Sequence, residues 1–275
     1  MKKFNGKAIY QPAGKAQEYS EWACNFYVGC SNNCSYCYLK KGIGAKILGG
    51  DKPTLKKCFR NEKHALEVFE KELKQNLYDL REHGLFFSFT TDPMLPETIK
   101  LTWKAAYIAS EKKVPVKFLT KKAEWVEPYL RYYAQLTAKR YMKIDQQFYA
   151  FGFTLTGHDE LEPGASTNAE RIEAMKKLHD AGFKTFASIE PIIDFDSSYK
   201  MILATLGDCD LYKVGLQSGK KYNKSEIHDY LSRMMLMVYA HDSKLYFKDS
   251  LLKQCGISRE TLNDPCVNRD YNLFK

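Results

Sequence analysis

"FYAFGFTLTGHDELEPGASTNAERIEAMKKLHDAGFKTFASIE", residues 148–190, reads as one complete strand–helix–strand unit. Its first nine residues, 148–156, are aromatic and β-branched, the composition of a buried strand. Thr167, followed three residues later by Glu170, makes a capping box that opens a helix. The apolar Ile172, Met175 and Leu178 keep the helical period until Gly182 ends it. "FKTFASI", residues 183–189, is then a second strand, and two strands joined through a helix belong to a parallel sheet.

The same alternation extends in both directions. "CNFYV" (24–28), "FFSFT" (86–90), "VKFLT" (116–120) and "LYKVGL" (211–216) read as further strands. Leu66, Phe69, Leu73, Leu77 and Leu80 keep a 3.6-residue period and stop at Gly84, a position for a left-handed cap. Further helical patterns cover about 98–113 and 125–139. Six strand–helix units fall short of the eight in a closed barrel, so the expected fold is α/β, a partial six-unit TIM-like barrel. Residues 1–223 hold this core with an N-terminal extension, and 224–275 form a small C-terminal helical extension packed on it. That extension opens with a Met-rich helix, "IHDYLSRMMLMVY", whose methionines read as core filler.

Composition narrows the function. With 275 residues and 44% apolar content, the chain can bury one large core. The basic N-terminus (Lys2, Lys3, Lys7) lacks the apolar centre of a signal peptide, and no apolar run approaches the roughly 18 residues of a membrane span. A cytoplasmic protein with no membrane partner is expected, and eight cysteines in that compartment argue for metal or redox chemistry over disulfides. The 42 basic and 33 acidic residues leave a net +9, which favours a polyanion such as DNA or RNA unless it is only a lysine-rich surface. The sequence does not specify an oligomeric state.

The chemistry concentrates in "GCSNNCSYCYLK", residues 29–40, directly after the first strand and therefore at the catalytic end of such a sheet. A structural zinc requires four ligands, and beyond Cys30, Cys34 and Cys37 the nearest downstream histidine is His64. A [4Fe-4S] cluster bound by three thiolates keeps one iron open, as a catalytic metal requires.

Cys30, Cys34, Tyr36 and Cys37 resemble the signature of the radical S-adenosylmethionine (SAM) enzymes: Cys, three residues, Cys, any residue, an aromatic, Cys. The resemblance implies that SAM's amino and carboxylate groups chelate the open iron. One electron then cleaves SAM to methionine and a 5′-deoxyadenosyl radical that abstracts hydrogen. It also implies an electron donor such as flavodoxin or ferredoxin and an oxygen-sensitive cluster. "KAQEYSEWACNFYVGCSNNCSYCY", "SFTTDPMLPET" and the 153–193 stretch resemble the spore photoproduct lyase branch and its DNA-repair-photolyase-like relatives, over roughly residues 14–195.

Carried over position by position, Thr90, Thr91 and Asp92 stand where the segment near SAM's amino group lies. Lys121, or its neighbour Lys122, stands for the lysine that pairs with SAM's carboxylate. Thr154 matches a serine bound to the same moiety, and Arg171 a basic residue of the fourth helix. Glu190 and Asp194, in "SIEPIID", are expected either to bond adenosine or substrate or to cap the loop. Arg259 and Arg269 stay unassigned. Phe89 occupies the place of the cysteine that returns hydrogen in spore photoproduct lyases, and phenylalanine cannot donate it. Cys58 and Cys24 are candidate substitutes, with Tyr36 or Tyr38 as a relay. Tyr129, Tyr132, Tyr133 and Tyr141 offer rings for flipped bases or for the core. The leading expectation is a radical SAM enzyme acting on a nucleic acid base or nucleotide. The alternatives are radical modification of a peptide or small metabolite, and a non-enzymatic iron–sulfur or zinc protein that binds nucleic acid.

Overall fold

Parallel pairing dominates the computed structural model, which describes residues 3–42, 44–138 and 146–275. The strands are β1 (Ile9–Tyr10), β2 (Ala23–Cys24), β3 (Tyr27–Val28), β4 (Thr54–Leu55), β5 (Leu85–Phe87), β6 (Val116–Thr120), β7 (Tyr149–Thr154), β8 (Lys184–Ile192), β9 (Leu211–Leu216) and β10 (Lys244–Phe247). Eight of them form an open sheet in the order β1-β2-β5-β6-β7-β8-β9-β10, antiparallel at β1–β2 and parallel elsewhere. β3 and β4 make a separate antiparallel ribbon.

The helices are α1 (Ala45–Leu48), α2 (Glu62–Gln75), α3 (Leu77–His83), α4 (Ile99–Glu111), α5 (Val126–Ala138), α6 (Asn168–Asp180), α7 (Phe195–Leu203), α8 (Lys224–Tyr239) and α9 (Asp249–Cys255). Among the described residues none is long and apolar enough to cross a membrane. The capping box of α6 forms in full: the Thr167 hydroxyl accepts from the Glu170 N–H, and the Glu170 carboxylate accepts from the Thr167 N–H at 2.7 Å.

All six expected strands are present in the expected order, with three local differences. "CNFYV" splits, because Cys24 ends the sheet strand while Tyr27 and Val28 turn away to pair with Leu55 and Thr54. The periodic segment that ends at Gly84 is two helices broken at Asn76, whose side-chain amide donates to the Glu72 carbonyl. The segment after 224 is not helical alone. β10 extends the sheet in parallel register beside β9 and adds a seventh parallel strand.

Both faces of the sheet are largely covered, so its strands do not alternate between a core side and a solvent side. Outward residues, including Phe87, Phe118, Phe151, Phe153 and Val214, pack under the helices. Trp103 stacks on Tyr129 at 4.6 Å, and Tyr133 meets Phe183 at 5.1 Å, so these two tyrosines belong to this layer and are not available to stack bases. Tyr132 is exposed, and Tyr141 lies outside the described residues. Inward residues Phe86, Ala150, Phe186, Leu211 and Tyr246 join Tyr19 and Leu273 as a floor. A Cβ on Gly152 would overlap the Phe186 ring, so this glycine makes room for the floor.

Between β1 and β10 the sheet is open, and the N-terminal segment bridges the gap. The Glu18 carboxylate accepts from Tyr246 Oη at 3.1 Å and from the Asp249 N–H at 2.8 Å. It thereby caps α9, whose own N-cap residue, Lys248, makes no capping bond. Lys213 Nζ, buried inside, donates to the Glu18 and Tyr19 carbonyls at 2.7 and 3.3 Å.

Candidate active site

Parallel strands deliver their loops to one face, and the cysteine loop emerges there just beyond β3. Cys30 and Cys37 are half-buried and Cys34 is buried; all three thiols are free. The loop is anchored on two sides. The Cys30 N–H donates to Gly50 O at 2.9 Å, and the Ser35 N–H donates to Leu161 O at 2.9 Å. A Cβ on Gly164 would overlap the Ser31 carbonyl, so only glycine allows the loop after β7 this close an approach.

Asp92, buried at the end of the β5 segment, is the first brace. One carboxylate oxygen accepts from Met94 N–H (2.9 Å) and Thr120 Oγ1 (2.6 Å). The other accepts from Lys121 N–H (2.8 Å) and Asn32 Nδ2 (2.7 Å). Four donors occupy its lone pairs, so Asp92 ties the cysteine loop to β6 and its carboxylate is not free for an ammonium ligand. The Thr90 hydroxyl is likewise committed, to Tyr27 O at 2.6 Å. Thr91 Oγ1 and Asn32 Oδ1, by contrast, are buried and have no hydrogen-bond partner among the described residues.

Glu162 is the second brace. Its carboxylate accepts from Tyr36 Oη and from the fully buried Arg171, which also donates to the Thr154 carbonyl at 2.5 Å. Lys121 Nζ lies 4.0 Å from Glu162 and 5.6 Å over the Tyr36 ring. Arg171 is thus packed behind the loop against the Thr154 carbonyl, whereas Lys121 projects toward the loop. Lys122 instead pairs with Glu124 at 2.8 Å and donates to Gly164 O.

The electrostatics follow this arrangement. Burial and the Asp92 charge push the Cys30 thiol up to about 12, although Lys121 pulls the other way. Burial also raises Cys34, again opposed by Lys121. Burial and Glu162 hold the Tyr36 phenol far above its usual range, so it stays a proton donor to Glu162.

At the ends of β8–β10 a second constellation forms. Glu190 Oε2 accepts from Tyr19 Oη and Lys248 Nζ, each at 2.8 Å, and the Tyr19 hydroxyl lies 2.6 Å from Ser188 Oγ. Gly215 leaves space for the pair, since a Cβ there would lie 2.8 Å from Lys248 and 2.9 Å from Glu190. Asp194 takes the capping alternative: it accepts from the Ser197 N–H at 2.7 Å to cap α7 and pairs with His158 at 2.6 Å. Cys58 is not brought in. The β3–β4 register pairs Val28 with Thr54 and Tyr27 with Leu55, so the chain after Leu55 runs away from Cys30 and leaves Cys58 exposed near Phe26. Cys24 is buried on the outer layer. Phe89 stacks on Phe86 at 4.4 Å, and its carbonyl accepts from Tyr38 Oη.

Glu162, Asn32, Tyr19 and Lys248 are the residues that sequence reasoning missed. The "ELEPG" that follows β7 was the available signal for Glu162, since a carboxylate beside a loop glycine at a strand end is a site position. The other three carry no local signal.

An open, mostly parallel barrel with three free thiols on the loop just beyond β3 suits an enzyme with a metal cofactor. The radical SAM superfamily model matches residues 24–209, and the chain belongs to the radical SAM superfamily. It is an enzyme of that type, and its cofactors are a [4Fe-4S] cluster and SAM. A solved structure of spore photoproduct lyase complexed with dinucleoside spore photoproduct shares the fold. The TM-score is 0.60 at 15% identity, over 86% of this chain and 80% of that one. No curated protein matches the chain.

Proposed function

We propose that Cys30, Cys34 and Cys37 bind three irons of the cluster, that SAM takes the fourth, and that the enzyme acts on a nucleic acid base or nucleotide. The observation that carries the cofactor assignment is the braced loop: three free thiols beside two buried, unpartnered polar atoms, Asn32 Oδ1 and Thr91 Oγ1. Buried polar atoms are rarely left unpaired, so this pair suits a polar ligand at the loop. When bound, the two cofactors supply hydrogen-atom abstraction.

The chain's own residues then position and shield. Lys121 is the cation that favours the thiolates of Cys30 and Cys34, and it is placed to meet a ligand carboxylate. Asp92 and the Glu162–Arg171 pair hold the loop. Tyr36 is a positioning residue, since its hydroxyl is committed to Glu162. The nucleic acid reading is supported by the net +9 and by the fold shared with a lyase solved with a dinucleoside photoproduct.

The test is 5′-deoxyadenosine formation by anaerobically reconstituted enzyme with SAM and a strong reductant, with and without ultraviolet-damaged or intact DNA and RNA. Product that rises with one nucleic acid supports the reading. Equal product in every tube redirects the search to peptides and metabolites. No product, with Cys34→Ala behaving as wild type, overturns the cofactor assignment.

A further inference from the structure

The lobe between the cysteine loop and β4 concentrates the chain's positive charge. Residues 38–57 contain six lysines and one acidic residue, Asp51, a net +5 of the chain's +9, with no arginine. Lys40 pairs with Asp51, and Lys56 donates to Lys7 O and lies over the Phe59 ring. Lys41, Lys46, Lys52 and Lys57 are exposed, and their ammonium groups have no ion-pair or hydrogen-bond partner among the described residues. The lysines of α2 differ, because Lys63, Lys71 and Lys74 alternate with Glu62, Glu67, Glu70 and Glu72 on the same helix.

Two large side chains stand among these lysines in solvent: Ile47 is 73% exposed and Tyr38 is 62% exposed. The lobe is also fastened to the site. The Gly50 carbonyl accepts from Cys30 N–H, and Gly29, at φ +83°, would set a Cβ 2.9 Å from that carbonyl oxygen. A second basic loop, Lys220–Lys221 after β9, opens on the same face because it too follows the C-terminal end of a parallel strand.

We propose that this lobe, through Lys41, Lys46, Lys52 and Lys57, is the surface that seats the sugar–phosphate backbone of a polynucleotide and so brings its bases to the cysteine loop. The inference deepens the nucleic acid reading above and rests on it. Free ammonium groups on flexible stems suit a line of phosphates, which needs point charges more than fixed geometry. Protein interfaces, in contrast, are depleted in lysine and enriched in arginine. An exposed Ile beside a Tyr adds an apolar contact of the kind that meets base or sugar faces.

The experiment measures binding of reconstituted enzyme to fluorescein-labelled single- and double-stranded oligonucleotides by anisotropy across a KCl series. The lobe variant is Lys41→Gln/Lys46→Gln/Lys52→Gln/Lys57→Gln. A control, Lys71→Gln/Lys74→Gln/Lys100→Gln/Lys104→Gln, removes the same charge from exposed positions on α2 and α4. Without oligonucleotide, 5′-deoxyadenosine formation by the lobe variant stays at the wild-type level, which shows that its site is intact. The expected result is a slope of log K against log [KCl] less steep by about 3 for the lobe variant, and by less than about 1 for the control. Equal slopes in the two variants overturn the surface while leaving the substrate reading intact. No binding by wild type overturns both. Unchanged oligonucleotide binding with slower reduction by an acidic redox protein reassigns the lobe to the electron donor and overturns the proposal.

Discussion

The two halves of the barrel mouth handle buried charge in opposite ways. Around the cysteine loop, Asp92 meets four donors and Glu162 meets Arg171 and Tyr36, so both carboxylates on that side are satisfied before any ligand arrives. Across the barrel, the interior of β6, β9 and β10 carries Lys117, Lys213 and Lys248 against the carboxylates of Glu18 and Glu190. Lys248 takes Glu190 at 2.8 Å, Lys213 donates to two carbonyl oxygens and lies over the Tyr19 and Tyr246 rings, and Lys117 faces a floor cavity of about 390 Å³. One half braces the cysteine loop with fully satisfied carboxylates, and the other sets three lysines against two carboxylates. Desolvation explains the difference: a carboxylate can be satisfied by backbone and side-chain donors, whereas an ammonium needs acceptors that the apolar floor lacks.

The sharpest way to break this comparison is to remove one partner of the brace. Glu162→Gln removes the nearer counter-charge of buried Arg171 and leaves it only Asp159, 3.6 Å away, and is expected to cost up to about 3–5 kcal/mol in denaturant unfolding. Joint replacement, Glu162→Leu with Arg171→Met, recovers most of that loss. A neutral Glu162→Gln would mean that the pair does not hold the loop.

On the opposite side the effects are smaller and pH-dependent. Glu18→Gln retains an acceptor for Tyr246 and the Asp249 N–H but removes the charge 3.7 Å from Lys248, and about 1–3 kcal/mol of stability is expected to go. Lys117→Met should stabilise. Burial brings Lys117 down from 10.5 to about 8, so below pH 8 both states are protonated and the native state bears the whole penalty. Between about 8 and 10.5 the unfolded chain keeps a proton that the native state has shed, and this site's contribution to stability rises with pH. The variant is therefore expected to gain up to about 3 kcal/mol at pH 7 and little above pH 10.5, read by thermal melts across pH. A gain independent of pH would attribute the effect to packing alone.

The smallest effect lies between the two halves. Burial opposes charge on His158, yet Glu160 and Asp194 raise it above the usual histidine range. A raised histidine contributes its stability below pH 6.5 and loses it as pH rises through the folded-state value. His158→Gln should cost about 0.5 kcal/mol at pH 6 and nothing measurable at pH 9.

Much of this architecture was legible as sequence. The strands at 116–120 and 211–216 are found with the expected bounds, and the α6 capping box pairs residues three apart. Two features misled. Asp92 looks like a free carboxylate beside two threonines, but Asn32, Thr120 and Lys121 surround it from other elements. "KLYF", residues 244–247, carries no turn signals that separate it from a helical tail, and it becomes a strand because β9 offers an unpaired edge.

The sequence by itself determined what is local: the strand–helix period, the helix caps, and a loop that presents three thiols within eight residues. Those features depend on contacts between near neighbours, so their pattern is written in consecutive residues. Only the tertiary structure decided which charges are partnered. Glu18 meets Tyr246 across 228 positions and Lys213 across 195, and Tyr36 meets Glu162 across 126. Such partners are chosen by where the open sheet and its bridging segment bring side chains, and by the cost of burying a charge away from an acceptor or donor.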